Sequence, residues 1–299
     1  MAPEPNAHPY YIVDVFAERK YAGNQLAVIP DADDLTGTEM QDIAREMHFS
    51  ETTFVRSAAG SDRTFDFRIF TPEHEVPFAG HPTLGTAFVI REKIIQKPVD
   101  EIVLNCTAGK IPVAFSPGAT GPEFLWMHQV PPEFYGTVDR GTMAEVLSIP
   151  EDSIDPWFPV EEVSTGLPFF IVPVTDRDAV KKAKINCKAY EALIATTRAK
   201  AIFFFCPEPY DRKNTFNARM FADALGIAED PATGSACGCL AGYLARHRWS
   251  GNNPVDVRVE QGHEINRPSL LCCRAERHGD SIEVFVGGNV VMVAEGRLV

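Results

Sequence analysis

Nothing in the 299-residue sequence is long and apolar enough to cross a bilayer as a helix. The longest apolar runs, LPFFIVPV at 167–174 and AIFFFC at 201–206, fall well short of the ~20 residues that a span requires. No membrane partner is therefore expected. Positive charge is also scarce, with 28 Lys and Arg against 41 Asp and Glu, and no basic run exceeds two residues, as at Lys181-Lys182. A net charge of −13 and a pI near 5.1 argue against nucleic acid or an anionic surface as partner, because both need a basic face. The N-terminal MAPEPNAHPY has neither the basic start nor the apolar stretch of a secretory signal, so a cytoplasmic protein is expected.

Recognisable metal and nucleotide motifs are missing as well. There is no HExxH, no paired CxxC and no GxGxxG. The seven cysteines are odd in number, and Cys272 and Cys273 are adjacent, which suits free thiols in a reducing compartment better than disulfides. Cys237-x-Cys239 lies in a segment of helical pattern, where residues two apart point to different sides. Buried packing is the expected role, and no metal is expected. GHPTLGT has the glycine spacing of a phosphate loop, but Thr86 stands where lysine must follow. TGSAC misses the serine-hydrolase elbow because Thr233 and Cys237 fill both glycine positions.

What is present is a set of short runs of period two and a few helical segments. Strands are expected at Tyr10–Phe16, Leu26–Ile29, Thr53–Val55, Thr64–Phe70, Phe124–His128, Phe169–Val174, Ala201–Phe205, Val255–Glu260, Ser269–Arg274 and Ile282–Val286. Helices are expected at Thr38–Met47, Pro82–Ile95, Thr142–Leu147, Cys187–Ile194 and Ser235–Arg248. Strands outnumber helices without regular alternation, which predicts an α+β fold rather than a doubly wound parallel sheet.

Two of the helical segments have almost no polar face: TLGTAFVI at 83–90 and ACGCLAGYL at 236–244. A helix that is apolar all round must be covered all round, so each is expected to be the axis of its own shell of strands. The residues before them repeat. Arg68-Ile69-Phe70 matches Arg219-Met220-Phe221, Glu75-x-Pro77 matches Glu229-x-Pro231, and Gly80-His81 matches Gly234-Ser235. The chain thus divides into two similar halves, with a join expected near Gly118–Glu123, a turn-rich stretch.

Proline is favoured in the first helical position, so Pro82 places His81 or Gly80 at the cap of the first helix, with Ser235 at the cap of the second. Bare amides and the positive end of the dipole make each opening a seat for an anion such as a substrate carboxylate. If the halves face each other, the two openings frame one cleft. The same dipole keeps His81 neutral, as a hydrogen-bond donor. Glu51 in HFSETTFV is flanked by Phe49, Phe54 and Val55. A carboxylate partly withdrawn from water is poised as a general base. Read by itself, Glu51 is more readily a solvated charge at a strand end than a base, while His81 is equally a cap and Asp230 an Asx-turn residue.

Taken together these residues resemble the PhzF-like, or phenazine biosynthesis-like, family of isomerases. The resemblance runs nearly end to end. It is carried by Asp14-Val15-Phe16, Gly23-Asn24, Ser50-Glu51-Thr52, the segment from Pro77 to Gly85 (PFAGHPTLG), the segment from Ser164 to Pro168 (STGLP), EDPATGSA at 229–236, Gln261-Gly262 and Arg267-Pro268-Ser269. Gln25 departs from the usual GNP. The resemblance implies a diaminopimelate epimerase-like fold: two similar domains, each a barrel-like sheet around a central apolar helix. It implies a first domain of residues 1–120 plus about 288–299, with the strand Val290–Val293 returning to it, and a second of 121–287. It also implies catalysis by Glu51 as acid and base, and substrate binding by Gly80, His81, Asp230, Gly234 and Ser235. A small carboxylate-bearing substrate, no cofactor and a homodimer are implied too. Racemase relatives place a cysteine at each helix opening, where this chain has Ala79 and Thr233. An epimerase of the same fold and a non-catalytic binding protein stand as alternatives.

Overall fold

Runs with alternating apolar residues form strands, and the two helices without a polar face become buried rods packed on them. The computed structural model describes residues 7–56, 63–116, 124–249, 251 and 254–299. The stretch Gly118–Glu123, where the join was expected, and with it the 120/121 boundary, lies outside the described residues. By its packing the chain forms two units, Met1–Met127 with Gly287–Val299, and His128–Val286.

The first unit begins with β1 (Pro9–Val15), β2 (Asn24–Ile29), α1 (Gly37–Met47), β3 (Glu51–Arg56), β4 (Thr64–Phe70) and β5 (Glu75–Val76). It continues through α2 (Gly80–Val89), β6 (Glu101–Cys106), β7 (Gly109–Ser116) and β8 (Phe124–Gln129), which leads into the second unit. That unit holds β9 (Glu133–Val138), α3 (Arg140–Leu147), β10 (Val160–Ser164), β11 (Pro168–Pro173), α4 (Arg177–Lys182) and α5 (Cys187–Ile194). Then follow β12 (Ala201–Cys206), β13 (Phe216–Phe221), α6 (Gly234–His247), β14 (Val255–Gln261), β15 (Ser269–His278) and β16 (Ser281–Gly288). The last strand, β17 (Val290–Arg297), pairs with β1.

The strand pairing explains the internal repeat. In the first unit the order is β17–β1–β2–β3–β4–β6–β7–β8, antiparallel except at β2–β3 and β4–β6. In the second it is β9–β10–β11–β12–β13–β14–β15, antiparallel except at β11–β12 and β13–β14. Both exceptions fall at the same steps of the two strand orders. A parallel pair needs a crossover. Helix α1 supplies it between β2 and β3, and α4 with α5 supply it between β11 and β12. The apolar helices α2 and α6 supply the other two.

Helix α2 packs against β1, β2, β3, β6, β7 and β17, and nine of its ten residues are buried. Helix α6 packs against β10, β11, β14 and β15. The amphipathic helices cover the opposite faces: Met40 and Ala44 of α1 pack with Ile29, Phe54 and Phe70, while α3 to α5 pack on β10 to β13. Close approach of strand and helix depends on glycine. A Cβ on Gly85 would lie 2.6 Å from Leu26 Cδ2 and 2.9 Å from Val15 Cγ2, both fully buried side chains. Gly85→Ala is therefore expected to cost about 1–3 kcal/mol through overpacking, outweighing the roughly 1 kcal/mol that alanine gains over glycine in a helix. Urea unfolding of the variant measures this.

Two features of the buried helices differ from expectation. The helix expected over Pro82–Ile95 is α-helical only to Val89, after which Ile90–Ile95 forms a π-helical turn ending in left-handed Gln96. The capping assignments also shift by two residues. Ala79 and Thr233 are the N-caps, neither bonding the first turn through a side chain. Gly80 and Gly234 are the first helical residues, so His81 and Ser235 lie inside the first turn and Pro82 is third. Proline's missing N–H is harmless anywhere among the orphan donors of that turn, which is why position three accepts it.

Candidate active site

The first unit gathers Glu51 and His81. Thr53 on β3 bonds Thr86 of α2, Oγ1 to Oγ1 at 2.8 Å, so the face that carries Thr53 looks at the helix. Glu51, two residues earlier, lies on that same face at the strand's start. Its Oε2 stands 3.4 Å from His81 Nε2. Of the apolar neighbours expected around it, Phe54 turns to the opposite face and packs with Met40 of α1 instead. The Glu51 side chain is 15% exposed, and that of His81 is 7% exposed.

His81 is held from behind. Asn24, itself buried, brings Nδ2 to 3.3 Å from His81 Nδ1, and the Gln25 backbone hydrogen-bonds the ring. Burial lowers the His81 pKa to about 3, with the Gln25 contact offsetting part of the effect. The ring is therefore neutral at pH 7.

A buried neutral histidine has a consequence for stability. Its folded pKa lies below the 6.5 of the unfolded chain, so the unfolded state takes up the proton first. The stabilisation is fully present above pH 6.5 and is lost as the pH falls from there toward 3, by up to about 1.4 kcal/mol per unit. In urea unfolding at pH 7 and pH 4.5, His81→Asn is expected to show a shallower acid loss than the native protein.

The second unit builds its opening differently. Asp230 donates its N–H to the Met220 carbonyl at 3.2 Å. Its Oδ2 accepts the Thr233 hydroxyl at 2.5 Å. Asp230 is buried, as are Thr233 and Gln261. Gln261 Nε2 donates to the Asp230 carbonyl at 2.8 Å and to Thr233 Oγ1 at 3.0 Å, while Oε1 accepts the Thr233 N–H at 3.1 Å. Gly234 begins α6, and its carbonyl accepts from Gln129 Nε2 at 3.2 Å. The Ser235 carbonyl accepts the Thr165 hydroxyl at the same distance, 3.2 Å.

The repeat carries matching forks on either approach. Arg68 grips Glu75 through Nε and Nη2 at 2.7 and 2.6 Å, and Arg219 grips Glu229 in the same way at 2.9 and 2.7 Å. Each fork pins the segment that leads to a helix start. Thus Glu51 and His81 come together in one unit, while Asp230 joins Gly234 and Ser235 at the helix opening of the other. The side chains that hold them, Asn24, Gln129, Thr165, Thr233 and Gln261, had no role assigned from sequence. Most of their partners lie 28 to 105 residues away, beyond the reach of any local pattern.

Cys237 and Cys239 are buried inside α6, and burial pushes the Cys239 thiol up to about 12. Among the described residues, no group of His, Cys, Asp and Glu has the arrangement of a metal site. No helix among them is long and apolar enough to cross a membrane.

Comparison with known proteins follows the same lines. A family model described as phenazine biosynthesis-like protein matches residues 13–296. The trans-2,3-dihydro-3-hydroxyanthranilate isomerase of Pseudomonas aeruginosa is 35% identical over 300 residues, covering 97% of this chain and 99% of that one. The crystal structure of a PhzF-family phenazine biosynthesis protein from Bacillus anthracis superimposes with a TM-score of 0.91 at 28% identity, covering 99% and 100% of the two chains. A probable proline racemase from Agrobacterium radiobacter matches at a TM-score of 0.65 and 10% identity, covering 98% and 93%, a likeness of fold alone.

Proposed function

The chain belongs to the phenazine biosynthesis-like family and is an isomerase, and we propose that it moves a proton between two carbons of a small, carboxylate-bearing substrate. Glu51 takes the proton as its carboxylate and returns it as its carboxylic acid, and no cofactor enters. As the C–H bond breaks, its electron pair spreads into the conjugated system of the substrate. The first-turn amides at Gly80, unaided by any capping side chain, are suited to hold the negative charge that results. His81 stays neutral beside Glu51. Asp230, Gly234 and Ser235 are assigned to substrate binding.

The observation that carries the proposal is the position of Glu51, 3.4 Å from a buried neutral imidazole at a helix start. The repeat supports a single acid and base. Phe54 pairs with Arg68 as Phe204 pairs with Arg219, so the residue matching Glu51 in the second unit is Ala201. Alanine has no proton to give. At the places where racemases of this fold carry cysteine, Ala79 is inert and the Thr233 hydroxyl is engaged with Asp230. Both facts favour one carboxylate over a two-base racemase.

The substrate named for the Pseudomonas relative is the first compound to try. Incubated in deuterated water with the native protein, trans-2,3-dihydro-3-hydroxyanthranilate is expected to gain deuterium at carbon, read by NMR. No exchange with it or with any related carboxylate would favour the non-catalytic binding protein.

A further inference from the structure

Thr233 occupies the N-cap of α6 but does not cap it. A threonine there ordinarily accepts a hydrogen bond from the first turn. Here the hydroxyl turns back to Asp230. Gln261, fully buried, decides its direction. The Thr233 N–H needs an acceptor, which orients the Gln261 amide with Oε1 toward it and Nε2 toward Thr233 Oγ1. Nε2 can only donate, so the single hydroxyl proton of Thr233 is left for Asp230 Oδ2. The same Nε2 also holds the Asp230 carbonyl, and the Met220 carbonyl holds its N–H. The segment before it is pinned by the Arg219–Glu229 fork.

We infer that Thr233 and Gln261 are positioning residues for Asp230, a relay that sets its carboxylate in one rotamer, with Oδ2 as acceptor, before substrate arrives. The inference rests on the assignment of Asp230 to substrate binding. The device belongs to one half only. In the repeat, Val76 stands where Asp230 does and Ala79 where Thr233 does, so nothing in the first unit's opening needs such a relay. A threonine kept merely to start a helix would not turn its hydroxyl away from that helix.

The test is a double-mutant cycle in the deuterium exchange of trans-2,3-dihydro-3-hydroxyanthranilate. Thr233→Val is expected to raise KM about tenfold with kcat changed less than about threefold, as for loss of a hydrogen bond to a charged group. Thr233→Ser, which keeps the hydroxyl, is expected to stay within about twofold of native. In an Asp230→Asn background, Thr233→Val should cost nothing further. Gln261→Glu, which removes the Nε2 donors at constant shape, should raise KM in the same direction, and thermal unfolding shows whether each variant folds. Equal losses from Thr233→Val in both backgrounds, or native KM in Thr233→Val, would overturn the relay. A native KM in Asp230→Asn would instead remove the assignment of Asp230 to substrate, and any remaining effect of Thr233→Val would then be structural.

Discussion

Glu51→Gln is expected to lower the rate of proton exchange by about 10³-fold while the protein stays folded, the middle of the range for loss of a general acid–base. Glutamine keeps the volume and one acceptor oxygen, so the contact face toward His81 survives. What it loses is the ability to hold a proton. KM should therefore move little, because substrate binding is assigned to other groups. Glu51→Asp keeps the carboxylate but withdraws it by one methylene from His81 Nε2, now 3.4 Å away. An intermediate loss is expected there. Single-turnover exchange measured by NMR separates the step from product release. Full activity in Glu51→Gln would move the chemistry to another residue.

The second large effect is on stability. Arg219 and Glu229 are 10% and 11% exposed, and the guanidinium also donates to the carbonyls of Val180, Lys181 and Ala183. It lies over the Phe221 ring at 4.7 Å. Arg219→Ala leaves a buried carboxylate and three carbonyls without that donor, and is expected to cost about 3–5 kcal/mol. Arg68 and Glu75, the matching pair, are 31% and 34% exposed and face water. Arg68→Ala is expected to cost about 1 kcal/mol or less. Urea unfolding of the two variants side by side reads the difference. Equal losses would show that burial is not what separates the two forks.

Much of this architecture was legible in the sequence because its signal is local. The apolar helices, the glycines that let strands approach them and the repeated Arg-x-Phe, Glu-x-Pro and Gly motifs all lie within short windows. Strands with buried polar residues escaped. Phe216–Phe221 (FNARMF) hides Asn217 and Arg219 in its interior, which erases the alternation. Val160–Ser164 (VEEVS) looks like a surface segment. In fact Glu162 accepts the N–H groups of Arg198 and Ala199, and Glu161 meets His247 at 2.7 Å. Each acid is buried because a partner far along the chain satisfies it. The helix caps were misread for a different reason. Pro82 invites the first helical position, yet the helix begins two residues earlier at Gly80.

The candidate site was legible as a set of residues but not as a structure. Glu51, His81 and Asp230 stand out by motif. The roles of Asn24 behind His81, and of Gln261 behind Thr233, are recognisable only once a strand and a helix start 57 and 28 residues apart are brought together. The asymmetry between the halves was likewise hidden. Ala201 is unremarkable in a sequence and becomes informative only when the strand register makes it the counterpart of Glu51 in the repeat.

The claim that one carboxylate both removes and returns the proton is tested most directly by label retention. Substrate carrying deuterium at the carbon that loses its proton is converted in ordinary water, and the product is examined by mass spectrometry. A single Glu51 shielded from bulk water predicts that part of the deuterium reappears at the new carbon in each turnover, and that the fraction rises as turnover is followed at shorter times. Complete washout from the first turnover would contradict the account.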